Sequence, residues 1–572
     1  MSSRRPVLAI TALVVLAIAP SAAGKLPVLK PASYPGMTTF NCRTDPILLQ
    51  PGQNLNKISL TKACPNAEVV EGPLGTDVFA AGSGAQGYIT RFKPSMVEIK
   101  PGGRLVTPAV WDLHLHHVVW NPPGGGVLAA GEEKTIATTP QGYGIKLDAT
   151  ADWLLVDMLH NLTAEPNRSV YLTWQIDWVP ETVPARTDID PIRGTFMDVA
   201  KGGVAYPVFD AERRFDTDDD GEFVFPDDVS ADPAEPSYEE RGKVSEAQSW
   251  TVPSSFANGI TLLSAGGHLH PGGLFVDLRA ARDGPDPGEI DGDDPSEVRS
   301  IFRSDAHYYE PAGAVSWDVA MTVARRDWRI HLEPGDTVSI SATYDVKRAS
   351  WYESMGILSL GWTPNDDPAA KDPFTDAAAV EEMYEQGGAL THRRLPENED
   401  THAREDLGLA DPRKLPTSGA APLGGVDIDG FFFEAGGFSA VSGFPAREMR
   451  PPVVRPGETL TFVNNDALPG QPEGEQAWHT ITACRAPCTG GPGIGYPLAN
   501  GPVQFDSGQL GFGGYLNSNV TTGSNTWTTP PLRKLKAQTK GKRIKRGSTY
   551  TYFCRLHPYM RGSFRVRAAK RK

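Results

Sequence analysis

The sequence predicts an all-β protein with several domains. Proline and glycine are abundant, at 50 and 59 of 572 residues, and helical periodicity is not sustained anywhere along the chain. Short runs of alternating apolar residues recur instead, as in Tyr88-Ile-Thr-Arg-Phe92 and Met96-Val-Glu-Ile-Lys100. A chain of this length, with 40% hydrophobic residues, can form about three cores.

The N-terminus predicts export. Residues 1–23 combine a basic start, a short apolar core and small residues near Ala23, which is typical of a signal peptide. Ser3-Arg4-Arg5 leaves twin-arginine export open beside the general route. We therefore expect a periplasmic, extracellular or cell-surface protein. No other apolar run is long enough to span a bilayer, and the net charge of −14 argues against a nucleic-acid partner.

A short C-terminal stretch carries three potential metal ligands at intervals of three residues. They are Cys554, His557 and Met560, directly after the β-rich run 548–553. A blue copper site needs one cysteine, two histidines and a weak axial methionine. The second imidazole is available at His479, after a turn and an alternating strand.

This pattern resembles the cupredoxins, and its Cys-x2-His-x2-Met loop is most similar to the amicyanin type. The resemblance covers roughly Gly424 to Arg567 and implies a Greek-key β-sandwich. It also implies that His479, Cys554, His557 and Met560 bind a type 1 copper ion that transfers single electrons.

The remaining four cysteines predict two disulfides. In an exported protein we expect them to pair. Cys42 with Cys64 would close an N-terminal loop, and Cys484 with Cys488 would close a tight loop after His479.

The middle of the chain carries a second group of histidines. They are His114, His116 and His117, then His160, then His268 and His270. Residues i and i+2 of a strand share a face, so His268 and His270 can point at one metal ion. His116 and His117 can do so only if a bulge re-aims one of them, and His114 is a further ligand or a neighbour of the ligands. Imidazole suits copper, zinc and iron, so these residues alone do not choose the metal.

The order of these residues resembles the copper type II, ascorbate-dependent monooxygenases that hydroxylate peptidylglycine and dopamine. The resemblance covers roughly Tyr88 to Trp362 and implies two tandem β-sandwich (jelly-roll-like) domains with one copper each. One copper would be held by His116, His117 and His160. The second, catalytic copper would be held by His268, His270 and Met355.

The chain departs from this family at three places. Gly266 stands where the peptide-amidating members carry an arginine that binds the substrate carboxylate. Residues 65 to 483 contain no cysteine, so the family's disulfide framework is absent. An acidic insertion lies between the two domains. These differences bear on the substrate more than on the metal.

The acidic insertion contains a pattern similar to a calcium loop. Carboxylates stand at Asp216, Asp218 and Asp220, with Gly221 following and Asp227 at the twelfth position. A solvated acidic loop without an ion is the alternative, because flanking helices are not evident.

The sequence thus predicts seven segments. They are a signal peptide (1–23), a disulfide-linked N-terminal segment (24–86), a first monooxygenase-like sandwich (87–189), the acidic insertion (190–245), a second such sandwich (246–363), a linker (364–423) and the cupredoxin domain (424–572).

Two functions remain open. One is a copper monooxygenase with a fused electron-transfer domain, which would use O2, an organic substrate and electrons from ascorbate or a redox protein. The other is a non-catalytic copper-binding or electron-transfer protein on a degenerate scaffold. A multicopper oxidase or nitrite reductase is disfavoured, because Phe553 and Arg555 flank Cys554 instead of histidines. His307 could approach the second central site, whereas His331, His392 and His402 receive no role.

Overall fold

The computed structural model is nearly all β, which confirms the predicted fold class. The residues that it describes are 32–50, 57–108, 113–123, 128–161, 165–182, 189–199, 209–211, 220–225, 249–282, 298–309, 314, 319–346, 351–365, 367–393, 411–420, 422, 424–439, 447–472, 476–484, 505, 507–512, 521–532, 548–554, 557 and 560–567. The signal peptide, Cys488, and Asp216, Asp218 and Asp227 lie outside these residues, as does the side chain of Cys484. The second disulfide and the calcium loop therefore stay predictions.

The first β-sandwich is formed by twelve strands and one 3-10 helix, Thr76–Phe79. The strands are β1 (Thr38–Arg43), β2 (Ile47–Leu49), β3 (Lys57–Lys62), β4 (Glu68–Glu71), β5 (Gln86–Lys100), β6 (Arg104–Val106), β7 (Leu113–Asn121), β8 (Leu128–Ala130), β9 (Ala137–Thr138), β10 (Tyr143–Asp148), β11 (Asp152–Asn161) and β12 (Arg168–Pro180). One sheet has the order β3-β11-β7-β8. The other is built around the long antiparallel pair β5 and β12. A core rich in tryptophan, including Trp120, Trp153 and Trp174, fills the space between them.

The second sandwich follows. Its strands are β13 (Asp190–Asp198), β14 (Phe209–Ala211), β15 (Glu222–Phe225), β16 (Ser249–Thr251), β17 (Ile260–Leu269), β18 (Gly273–Ala281), β19 (Val298–Tyr308), β20 (Val319–Val323), β21 (Ile330–Leu332), β22 (Thr337–Asp345), β23 (Trp351–Ser354), β24 (Gly356–Thr363) and β25 (Ala389–Leu390), and its helix is α1 (Ala377–Glu385). Strand β17 pairs with β20, β21 and β24, and β18 pairs with β19 and β22.

The third sandwich contains the predicted type 1 copper ligands. Its strands are β26 (Gly419–Ala420), β27 (Val426–Ile428), β28 (Gly437–Ser439), β29 (Arg447–Glu448), β30 (Pro452–Val454), β31 (Thr461–Asn464), β32 (Thr482–Cys484), β33 (Thr526–Thr528), β34 (Ser548–Phe553) and β35 (Arg561–Val566). A three-stranded sheet, β27-β31-β33, accompanies a larger sheet that contains β34 and β35. Its core is rich in aromatic residues such as Phe433, Phe462 and Tyr552.

Residues that the sequence analysis sets apart as separate segments are integrated into the sandwiches. From the predicted N-terminal segment, β1 pairs with β12 and β3 pairs with β11, so it supplies strands to both sheets of the first sandwich. The Cys42–Cys64 disulfide forms as predicted and is buried in that core. From the predicted acidic insertion, β13 pairs with β24 and also runs parallel to β10, which joins the two sandwiches.

The first part of the predicted linker is also folded. Residues 367–393 contain α1 and β25, and β25 pairs with β20. Asp367 accepts hydrogen bonds from Arg329 and Tyr143, and Asp372 accepts from Arg282. These partly buried ion pairs hold this part of the predicted linker on the second sandwich. Among the described helices, none is long and apolar enough to cross a membrane.

Candidate metal centres

The C-terminal ligand set (His479, Cys554, His557 and Met560) is brought together by two loops. His479 follows Trp478 at an isolated bridge to Leu510, and the other three residues lie between β34 and β35. The loop is closed on itself, because the Cys554 N–H donates to the Met560 carbonyl and the Met560 N–H donates to the His557 carbonyl. All four side chains are buried, with Cys554 and Met560 0% exposed.

The geometry of three of these residues fits a trigonal metal site. His479 Nδ1 lies 3.0 Å from His557 Nδ1, and Cys554 Sγ lies 3.8 Å and 3.5 Å from the two nitrogens. A trigonal ion with bonds of about 2.0 Å to nitrogen and about 2.3 Å to sulfur would set these separations at about 3.5 Å and about 3.7 Å. The side chains therefore converge without any rearrangement of the chain.

The electrostatics of the set favour the thiolate form of Cys554. Burial opposes a thiolate, but the nearby imidazoles of His557 and His479 hold the pKa of Cys554 well below its usual range. Burial opposes an imidazolium too, but hydrogen bonds with Asp466 and Cys554 raise the pKa of His479 to about 9, so a metal ion at Nδ1 would displace a proton from the ring. The Thr480 N–H donates to Cys554 Sγ at 3.3 Å, a contact that tunes a metal–thiolate bond. The thiolate needed for copper binding is thus already favoured.

Asp466 orients His479 in a way that the sequence did not reveal. Its carboxylate lies 2.8 Å from His479 Nε2 and accepts the N–H groups of Gly430 and Phe431. A carboxylate on Nε2 fixes the proton there and leaves Nδ1 free to bind a metal. The same bonds position Phe431, whose ring stands edge-on to both His479 and His557.

We expect Asp466→Asn to weaken copper binding at this site by about 10- to 100-fold, because the amide orients His479 less strongly and removes a charge. Copper affinity is measured by competition with a chelator while the blue absorption is followed. Asp427→Asn is the matched control, since Asp427 is exposed on the same sandwich and its side chain accepts a hydrogen bond from Asn465. Equal affinities for the Asp466 variant and the wild type would contradict a positioning role.

The central histidine cluster (His114, His116, His117, His160, His268 and His270) is one contiguous group, and all of its members are buried except His268, whose side chain is 12% exposed. The His116 ring centre lies 4.7 Å from that of His160 and 4.8 Å from that of His270. His268 and His270 have ring centres 5.3 Å apart. The sequence predicts two separate copper sites, whereas here histidines of the two sandwiches touch.

A β-bulge in β7 brings His116 and His117 together. Met158 of β11 pairs with His117 and Leu159 pairs with Leu115, so His116 is the extra residue. The Nδ1 atoms of the two histidines then lie 3.2 Å apart. The bulge that the sequence analysis required for joint ligation is present.

Burial keeps His116, His117 and His160 neutral. It lowers the pKa of His116 and His160 well below the usual range, with help from neighbouring imidazoles, and it lowers the pKa of His117 to about 3. His160 Nε2 and His268 Nε2 are buried and have no hydrogen-bond partner among the described residues. Neutral imidazoles with unused nitrogens are the form that binds metals.

The central cluster is nevertheless less converged than the C-terminal set. His479, Cys554 and His557 have ligand atoms that all lie within 4.8 Å of one another, and in the described part of the chain no three central histidines meet that criterion. The predicted ligands His116, His117 and His160 are neighbours without a closed triad.

Met355 is tied to the cluster through its backbone. Tyr344 donates its hydroxyl to the Met355 carbonyl at 2.6 Å and accepts the N–H groups of Met355 and His270. The Met355 side chain is buried against Met158. By contrast, His307 is exposed and packs on Tyr309.

A cavity of about 410 Å³ lies beside the central cluster. His117, His268 and Met355 face it, and Gly266 and Glu133 also line it. Most of the other lining residues are apolar and come from both sandwiches, including Phe92, Leu128, Ile145, Phe196 and Leu360. The cavity can therefore hold a small, largely apolar molecule next to predicted metal ligands.

The sequence analysis also missed two buried carboxylates at this site. Glu132 and Glu133 stand on the turn between β8 and β9, close to His114 and His268. Two adjacent acidic residues in a short turn normally indicate an exposed loop, so the local sequence did not predict that Glu132 and Glu133 are buried.

Comparisons with known proteins give no assignment. No protein-family model and no curated protein matches the chain. A copper-containing nitrite reductase from Thermus scotoductus is similar at 13% identity over 54% of this chain and 55% of that chain, with a TM-score of 0.14. Two infectious bursal disease virus structures, the VP2 subviral particle and the Gx strain, are similar at 11% and 12% identity, over 60% of this chain and 77% of theirs, with TM-scores of 0.17 and 0.16. These scores are too low to support an inference.

Proposed function

We propose that the chain is an exported copper protein in which a C-terminal type 1 site supplies electrons to a central monooxygenase-like core. The convergence of His479, Cys554 and His557 carries the proposal. This donor set, with buried Met560 on the same loop, matches what a cupredoxin-type blue copper site requires.

The C-terminal ligand set and the central cluster would have different roles. When bound, copper would supply one-electron transfer at the C-terminal ligand set and oxygen activation at the central cluster, where one atom of O2 would enter a C–H bond and two electrons and two protons would reduce the other atom to water. His116, His117 and His160 would hold one ion, and His268, His270 and Met355 the other. The soft thioether of Met355 favours Cu(I).

The position of the C-terminal set supports internal electron delivery. Buried apolar residues of the second and third sandwiches, including Met321 and Met560, belong to one continuous cluster. Electrons would enter from ascorbate or a redox protein.

The cavity beside His268 and Met355 supports an organic substrate with a mainly apolar body. Gly266 lines it, so that position offers no cation to a substrate carboxylate. The mainly apolar lining favours a small hydrophobic molecule, and Arg193 is the lining cation that a substrate carboxylate could meet.

A non-catalytic copper protein is the second candidate. It is favoured by one observation: the central histidines do not form a closed triad of ligand atoms, whereas the C-terminal set does. The C-terminal site would then transfer electrons without oxygen chemistry.

Copper content and ascorbate-driven oxygen uptake of His270→Ala test the choice. We expect the wild type to hold three copper ions and to hydroxylate ethylbenzene, used as an apolar probe and detected by mass spectrometry. The variant is expected to lose one copper and the oxygen uptake but to keep the blue absorption. His307→Ala is the matched control, because His307 is exposed on the same sandwich. If the wild type holds one copper ion and takes up no oxygen, the monooxygenase proposal is wrong and electron transfer is the function that remains.

A further inference from the structure

The turn between β8 and β9 places three charged residues in the interior. Glu132, Glu133 and Lys134 are 4%, 1% and 7% exposed. The turn is closed by a hydrogen bond from the Lys134 N–H to the Gly131 carbonyl, and Lys134 has a φ of 45°. Buried charges are costly unless they are paired, so the partners of these residues define what the turn does.

Glu133 pairs with a histidine of the other sandwich. Its Oε1 lies 3.1 Å from His268 Nδ1 and also accepts the Gly131 N–H at 2.7 Å. Glu133 is on the first sandwich, whereas His268 is on β17 of the second. The carboxylate therefore connects the two sandwiches at the central cluster.

This contact selects one tautomer of His268. A carboxylate accepts, so Nδ1 carries a proton, and in the neutral ring Nε2 then keeps its lone pair. Nε2 is buried and has no hydrogen-bond partner in the described part of the chain. An imidazole held by a carboxylate on one nitrogen, with the other unused, is the usual arrangement of a metal-binding histidine.

The backbone of the turn is fitted to this position. A Cβ atom added at Gly131 would lie 2.6 Å from Glu133 Oε2, 2.9 Å from the His116 carbonyl oxygen and 2.9 Å from His268 Cε1. Only glycine allows the turn to pass between the histidines of the two sandwiches.

Glu132 provides an internal comparison. Its Oε1 accepts the Leu115 N–H at 2.7 Å and lies 3.5 Å from His114 Nδ1, and Lys134 lies 3.7 Å from its Oε2. It is thus equally buried on the same turn, but its contacts stay within the first sandwich.

We propose that Glu133 is the positioning residue of the second central metal site. It accepts the Nδ1 proton of His268 and directs Nε2 to the metal, so that a carboxylate of the first sandwich completes a site carried by the second. The inference rests on the proposed function, because it assumes that His268 binds copper.

Affinity for Cu(I), measured on the full chain by competition with a chelator, tests the role. We expect Glu133→Gln to weaken one central site by about 10- to 100-fold while the blue absorption stays unchanged. Glu133→Asp should recover part of the loss because the charge is kept. Glu132→Gln should leave that site unaffected. Wild-type affinity in Glu133→Gln, or an equal loss in Glu132→Gln, would overturn the inference.

A second measurement does not depend on whether a variant at position 133 folds. Nitrogen NMR of the Cu(I)-loaded protein with labelled histidine should show a protonated Nδ1 and a metal-bound Nε2 for His268, assigned with His268→Gln. A proton on Nε2 would overturn the inference. His268→Gln also distinguishes failure of the proposed central site from failure of the role given to Glu133. If His268→Gln loses no copper, the proposed central site is wrong. If His268→Gln loses copper while Glu133→Gln does not, only the role of Glu133 is wrong.

Discussion

Cys554→Ser is expected to abolish the blue absorption and to remove one copper ion per chain. Cys554 is fully buried between His479 and His557 and is held as a thiolate by them. A serine hydroxyl does not ionise at neutral pH and is a hard ligand, so it replaces neither the charge nor the covalent copper–sulfur bond. Visible absorption and elemental analysis of the purified proteins measure the effect.

The matched variant for this experiment is Met560→Leu. It changes the weak axial ligand at similar volume, so we expect the blue absorption and the copper to remain while the reduction potential changes. The copper at the central cluster should be retained in both variants. Blue absorption that survives in Cys554→Ser would show that this thiolate is not the copper ligand.

The C-terminal ligand set was predictable because most of it is local. Cys554, His557 and Met560 occupy one short loop, so their spacing in the sequence nearly fixes their spacing in space. The fourth residue, His479, required only one long-range assumption. The structure brings its Nδ1 to 3.0 Å from that of His557. The support from Asp466 was not predictable, because it depends on how a separate loop packs.

The arrangement of the central cluster could not be predicted from the sequence alone. Strand periodicity could say that His116 and His117 need a bulge, but the bulge itself arises from the register between β7 and β11. The contact between His116 and His270 depends on how two sandwiches pack, which no local pattern encodes. Most strands in the N-terminal segment and acidic insertion have six residues or fewer, and β13 has nine but begins with Asp190-Pro191, so local pattern alone did not mark them; their pairing with other strands stabilises them.

Tyr344→Phe is expected to destabilise the second sandwich by about 2 to 4 kcal/mol, because three buried polar groups lose a partner at once. The hydroxyl of Tyr344 is shared by the Met355 carbonyl, the Met355 N–H and the His270 N–H, and the residue is 0% exposed. Phenylalanine fills nearly the same volume, so the loss is one of hydrogen bonding and not of packing. Calorimetric unfolding of the metal-free protein measures it.

Tyr344→Phe should also affect the second central metal site, because the three hydrogen bonds hold Met355 and His270 side by side. We expect weaker Cu(I) binding at the second central site and an unchanged blue absorption. Tyr308→Phe is the control: Tyr308 lies in the same sandwich but makes one hydrogen bond, to the Gly273 carbonyl at 2.8 Å, so it should cost about 1 kcal/mol and leave copper binding intact. If both variants lost the same stability and neither lost copper affinity, the Tyr344 hydroxyl would be an ordinary core hydrogen bond, and the proximity of Met355 to His270 would have to be maintained by packing alone.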